Sequence, residues 1–519
     1  MESSSVVGYK DTKMHHIPNF ITFAANFVES TMFEDDEDIE DYFDEEQDRQ
    51  AAIERYEDML KSHDAAYFDS AEFEYIIDNY VEKNQLRRSR EAVDLAMQQH
   101  PESSVLKIKE ARQYLLEGQA ENAFQILQHV ERDEDDGPDY FLVLGSCLAA
   151  LGKSKDALEN YFNALPYFDE DEKFDLYNAI AYEYQRLKNF DLAIDFYQRA
   201  LTLASDENNE RDTLYHEIRC CFLGQGRKDN AIAFFQHLVD ENPYNSKAWT
   251  NIGDCYRMMG EYEESIDPYE FALAIDPEDL WTNMYLADIY YDLGRYKESI
   301  DTLEEALRNG METSIIHTSL GDCYYRLNDL QTAEDHFRKA VEMNEMNGSG
   351  WAGLGYIASD RGDSKTAIKY YEKAYKLEPW ETEHLYSISD EYHKLNQLDL
   401  SMKYLRKIQE MNPRDPDSYY YIADIYGEMD QVSEAINTLK YGMLQTDDNP
   451  LLLYLLTYAY FVKGDRTLGL ETLDRALEAD FESWPNFLEY DKELLSNDVD
   501  VINLIEEHKK KHETPSTNE

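Results

Sequence analysis

The sequence predicts an all-α fold, made by stacking one helical hairpin many times. Three observations carry that expectation. Units beginning at Asp212, Ser246, Leu280, Ser314, Gly348, Thr382, Pro416 and Pro450 follow one another every 34 residues, and four earlier units, at Ser70, Ser104, Pro138 and Phe174, fit the same template. Apolar and small residues fall at positions 4, 7, 8 and 11 and again at 20, 24 and 27, each set a single helical face. Position 20 is small in all twelve units: Ser89, Ala123, Ala157, Ala193, Ala231, Ser265, Ser299, Ala333, Ala367, Ser401, Ala435 and Gly469.

The unit from Ser246 to Pro277 shows the logic in full. Gly253 at position 8, Ser265 at 20 and Ala272 at 27 are small, so two antiparallel helices can cross closely there. Trp249, Ile252, Tyr256 and Tyr269 fill the space between one unit and the next. Gly260 sits in the turn, and Pro277 ends the second helix because it cannot continue the hydrogen-bond ladder. This pattern resembles the tetratricopeptide repeat, a helix–turn–helix unit of 34 residues. The resemblance covers residues 70–483, about four-fifths of the chain. It implies a right-handed α-α superhelix, a solenoid of twelve units closed by terminal capping helices. The register lengthens at 168–173 and at 203–210, both polar stretches read as longer connections. Ile77 and Arg219 stand at position 8, where a small residue is expected, so looser hairpins are expected there.

The segments outside the array are read in chain order. Residues 1–31 hold His15, His16 and the apolar run 17–28, with few acids. A signal peptide, a short binding segment and a natural start at Met32 all fit, and the last is favoured because the acidic composition begins there. The run is too short to span a bilayer. Residues 32–48 carry eleven acids and read as a disordered solubilising block. Ala52, Tyr56 and Met59 repeat the 20-24-27 spacing, which predicts a lone helix capping the first repeat. Beyond Ser483 the template fails. Ile502, Leu504 and Ile505 suggest a closing helix, with Lys509 to Lys511 near its C-terminal dipole and a disordered tail from His512.

Composition narrows the partners. Lysine and arginine number 49 against 108 acids, a formal charge of −59. That surface repels phosphate, so nucleic acid and anionic membranes are disfavoured as partners, and basic or neutral proteins are favoured. The charge also serves plain solubility. Of the five cysteines, Cys147, Cys221, Cys255 and Cys323 recur at position 10, which reads as buried packing; Cys220–Cys221 has no second ligand cluster for a metal. An odd count without CxxC argues against a disulfide framework and suits a reducing cytoplasm.

No phosphate loop, HExxH, GxSxG or zinc spacing occurs, so no cofactor, metal or catalytic residue is assigned. The resemblance implies that positions 2, 5, 9, 12 and 13 face a concave groove that binds segments of other proteins. The family's carboxylate-binding set, Lys at 5 and Asn at 9, is missing. Position 9 carries instead Asp254, Asp288, Asp322, Tyr356, Asp390 and Asp424 in successive units. Aromatic and basic neighbours complete the candidate site: Arg257, Trp281, Tyr291, Tyr325, Tyr386 and Tyr420. Carboxylates bind Arg or Lys, and aromatic faces add apolar area and cation–π attraction. The expected function is a noncatalytic scaffold whose acidic, aromatic groove takes basic or amphipathic peptide segments. The opposing reading is that these aspartates pair with arginines of the array itself, such as Arg257 or Arg326. A third reading is a regulatory subunit or self-assembling array that docks through its convex face or caps.

Overall fold

A computed structural model describes residues 36–62, 65–130, 137–205 and 210–513. The chain divides into two compact units, Met1–Asp276 and Pro277–Glu519. Each carries six antiparallel helical hairpins, and among the described residues every regular element is helical.

In the first unit α1 (Asp36–Ser62) precedes the hairpins α2/α3 (Ser70–Glu82, Leu86–Gln99), α4/α5 (Ser104–Leu116, Ala120–Leu127) and α6/α7 (Asp139–Ala150, Ser154–Ala164). Then come α8/α9 (Phe174–Arg186, Phe190–Leu203), α10/α11 (Glu210–Gly224, Lys228–Glu241) and α12/α13 (Ser246–Met259, Tyr262–Ile275). The second unit begins with α14/α15 (Leu280–Asp292, Tyr296–Arg308), α16/α17 (Ser314–Arg326, Leu330–Met343) and α18/α19 (Gly348–Asp360, Ser364–Leu377). It continues with α20/α21 (Glu383–Lys394, Leu398–Met411), α22/α23 (Pro416–Glu428, Val432–Gln445) and α24/α25 (Pro450–Lys463, Arg466–Ala479). Three shorter pieces close it: α26 (Trp484–Glu489), α27 (Lys492–Leu495) and α28 (Val499–Glu513). Even-numbered helices from α2 to α24 are the first of each hairpin, and each starts within two residues of the sequence-predicted unit.

Three positions explain why the hairpins form. All twelve residues at position 15 have positive φ, from Asn84 at 53° to Gly464 at 87°. Seven are glycine, for which that conformation costs nothing, and Asn84, Asn328, Asn396 and Asp430 are residues that tolerate it; Lys188 at 58° is the exception. All twelve position-20 residues are buried. At position 8 glycine meets a ring: a Cβ built on Gly145, Gly253, Gly321 or Gly355 would lie 2.4–2.7 Å from Tyr161, Tyr269, Phe337 or Tyr371 at position 24 of the same repeat. Where position 8 is Ala287, Ser389, Ala423 or Thr457, position 24 shrinks to Leu303, Leu405, Leu439 or Leu473. The repeat from Phe174 departs from this, with Ala181 facing Tyr197, so in most but not all repeats a larger position 8 goes with a smaller position 24. The hairpin with Arg219 at that position is the most loosely packed of the twelve, as expected.

The termini differ from expectation in part. Ala52 and Tyr56 are buried, and the Tyr56 ring lies 5.6 Å from Phe68 and 6.1 Å from Tyr80, so α1 caps the first repeat. The helix starts at Asp36, however, so most of the acidic block expected to be disordered is helical. Acids near a helix N-terminus are stabilised by the aligned peptide dipoles, and glutamate is a good helix former. Residues 1–31, including the expectation of a start at Met32, lie outside the described residues. In α28 Val501 and Ile505 are buried and Leu504 packs against the core, while Ile502 is 37 % exposed, so of the three apolar residues that suggested the helix only Ile502 faces away. His512 belongs to that helix and stacks on Phe481 at 4.6 Å; residues 514–519 lie outside the described residues.

Candidate protein-binding face

The six residues at position 9 meet three different fates. Asp254, in the first unit, is 4 % exposed. One carboxylate oxygen pairs with Arg219; the other accepts from the Tyr269 hydroxyl at 2.7 Å and from Arg257 Nη2 at 3.3 Å. Arg257 also donates to Tyr269 at 3.2 Å. Asp254 and Arg257 therefore sit in the packing of the array, and the opposing reading holds for them. The anomalous Arg219 is explained at the same stroke: its guanidinium reaches Asp254 and Asn251 of the next repeat. At the N-terminal end Asp78, also at position 9, is bridged by Lys109 at 2.9 Å and Arg112 at 3.2 Å, and Lys109 reaches Asp139 at 3.4 Å.

The second unit is arranged differently. There α14, α16 and α18 lie side by side, as do α22 and α24. On the first three helices Asp288 is exposed and Asp322 half-buried. Burial pushes the Asp322 carboxyl up to about 7; Arg326 opposes that shift and Asp288 adds to it. Among the described residues Asp322 makes no hydrogen bond or ion pair. Arg326 instead donates to the Tyr291 hydroxyl at 2.7 Å. The Tyr325 and Tyr356 rings stack at 5.9 Å and 29°, and burial raises both phenols, Tyr325 to about 12. Trp281, half exposed, stacks on Tyr285 at 6.4 Å. The Asp322 charge bears on Tyr291 and Tyr356, from the first helices on either side.

The middle of the unit is self-bridged. Asp390 pairs with Lys394 at 2.7 Å, and Lys394 also holds the buried Glu391 at 2.6 Å. Tyr386 donates to Asp415, and His393 binds Glu428 at 2.9 Å. Asp424 is exposed and, like Asp322, has no hydrogen bond or ion pair among the described residues. Tyr420 packs on Tyr421 at 4.8 Å beside it. Sequence reasoning missed Tyr458 and Tyr490, whose rings stack at 6.0 Å. Tyr458 occupies position 9 and could have been found by the period; Tyr490 lies past the last repeat, where no period applies.

The four position-10 cysteines are packing residues. Cys147, Cys221 and Cys255 are buried, and burial pushes their thiols up to about 12; Cys323 goes to about 11. Among the described residues no group of three His, Cys, Asp or Glu side chains could hold a metal ion, and no helix is long and apolar enough to cross a membrane.

Stacked hairpins with a first-helix face of this kind define a helical-repeat solenoid protein. Tetratricopeptide-repeat models match residues 174–207, 246–279, 278–346, 349–379 and 383–415, and the chain is a tetratricopeptide-repeat protein. No curated protein matches it. Among solved structures it is similar to Cut9–Hcn1, an APC/C hetero-tetramer, at 16 % identity over 81 % of this chain and 94 % of that one, with a TM-score of 0.39. It is also similar to YrrB, a TPR protein with an unusual peptide-binding site, at 21 % identity over 36 % and 96 %, TM-score 0.29. MamA from Desulfovibrio magneticus is 18 % identical over 32 % and 95 %, TM-score 0.29.

Proposed function

We propose that the chain is a noncatalytic scaffold that holds cationic, partly apolar segments of other proteins on the first-helix face of Pro277–Glu519. The observation that carries this reading is the fate of the aspartates. Asp78 and Asp254 are consumed by cations of the array, whereas Asp322 stays half-buried without a hydrogen bond or ion pair among the described residues, its charge bearing on Tyr291 and Tyr356. A carboxylate held up to about 7 by burial gains most from an incoming positive charge, because the ligand removes the cost of ionising it. The rings beside it give a planar cation a surface to lie on. The thiols form no disulfide, which fits a reducing cytoplasm.

The test is a fluorescence-anisotropy titration of the full chain with a labelled Arg–Leu repeat peptide. Asp322→Asn is expected to weaken binding about tenfold, the size of one charge-assisted hydrogen bond. Asp390→Asn, which breaks only the Lys394 bridge, is expected to leave it within about twofold, as exposed ion pairs are worth little. Equal affinity for wild type and Asp322→Asn would overturn the reading. Docking through the outer face is the second reading, supported by Leu444 at 79 % and Tyr441 at 56 % exposure on α23. Light scattering that shows only monomer would remove its self-assembling form.

A further inference from the structure

The C-terminal end of the same face is built differently from the rest, and three elements converge on it. Asp424 lies on α22, with Tyr420 one turn before it on the same side of the helix. Tyr458 comes from α24, the adjacent first helix. Tyr490 comes from the closing segment after α26, which is seated by Phe487: that ring is 1 % exposed and lies 5.3 Å from Tyr454 and 6.5 Å from Tyr490. Tyr458 and Tyr490 stack at 6.0 Å and 24°, yet Tyr490 keeps 40 % of its surface in solvent. Burial raises all three phenols, and the Asp424 charge adds to each. Nearby Glu428 and His393 satisfy each other at 2.9 Å, leaving Asp424 with no hydrogen bond or ion pair among the described residues.

We propose that Tyr420, Asp424, Tyr458 and Tyr490 form a socket for an arginine side chain of a partner segment, so that the C-terminal cap is part of the binding site. This rests on the reading of the face given above. Arginine is the ligand that uses every wall. Its planar guanidinium stacks on tyrosine and meets a carboxylate with two parallel hydrogen bonds, whereas an ammonium is a compact, strongly hydrated point charge. The stacking of Tyr458 on Tyr490 places the socket at the junction of the last repeat and the cap.

The experiment titrates the full chain with labelled Ala–Arg and Ala–Lys repeat peptides of equal length. Wild type is expected to prefer the arginine peptide by about fivefold or more, in line with cation–π and bidentate contacts in a partly desolvated site. Tyr490→Ala and Asp424→Asn are expected to weaken the arginine peptide about tenfold and to bring the two peptides level, while Tyr490→Phe keeps the preference. Asp424→Asn changes charge without volume, so a folding defect of Tyr490→Ala does not obscure the answer. Unchanged arginine affinity in Asp424→Asn, or equal binding of both peptides by wild type, would overturn the socket. Loss in Asp322→Asn with no loss in Tyr490→Ala would keep the face and remove the socket. Failure of wild type to bind either peptide would remove both.

Discussion

At the scale of single residues, position 9 shows that one repeat position can hold two kinds of aspartate. Asp254 is buried and bonded to Arg219, Arg257 and Tyr269. Asp254→Asn leaves a buried arginine without its counter-charge, and is expected to cost about 3 kcal/mol in a urea denaturation series. Asp322 behaves in the opposite sense. Its folded pKa of about 7 lies above the ordinary carboxylate value, so the folded state binds more protons than the unfolded one between about pH 4 and 7. The stability it contributes is full below that window and lost as pH rises through it. Asp322→Asn is therefore expected to raise the thermal midpoint at pH 8 and to change it little at pH 4; a lower midpoint at pH 8 would show that the carboxylate is structural. The sequence displays these aspartates alike. What separates them is Arg219, a residue that breaks the small-residue rule one repeat earlier, and its reach into the next repeat is a three-dimensional fact.

At the scale of the hairpin, the sequence is legible wherever packing repeats. Small residues at position 20, the turn at position 15 and the cysteines at position 10 recur with the period, so each instance supports the others. The pairing of glycine at 8 with an aromatic at 24 is equally visible once the contact is known. Gly355→Ala drives a methyl into the Tyr371 ring, at 2.4 Å, and is expected to destabilise the protein by about 1–3 kcal/mol in the same denaturation series; Ala423, opposite Leu439, already carries that methyl. Less legible were the buried Glu183 and Glu391 at position 10, where other repeats place cysteine. Each is held by a cation three residues on, Arg186 at 2.9 Å and Lys394 at 2.6 Å, a local pairing that a repeat template does not register. In α28 the sequence named Leu504 and Ile505, which pack inward, but not Val501, because a helix beyond the last repeat has no period to set its phase.

At the scale of the molecule, twelve similar hairpins form two compact units whose first-helix faces differ in chemistry. In Met1–Asp276 the charges at position 9 are internally bridged, at Asp78 and at Asp254. In Pro277–Glu519 Asp322 and Asp424 remain available beside aromatic rings, at Tyr325–Tyr356 and at Tyr458–Tyr490. The period showed the stack and its candidate face, but the difference in charge pairing between the halves depends on which cations lie across from which acids. The most direct measurement is hydrogen exchange by mass spectrometry on the full chain, with and without the Arg–Leu peptide. The account predicts new protection in Ser314–Arg326, Gly348–Asp360 and Pro416–Glu428, and none in Ser246–Met259. Protection confined to Met1–Asp276, or to the second helices of the hairpins, would contradict it.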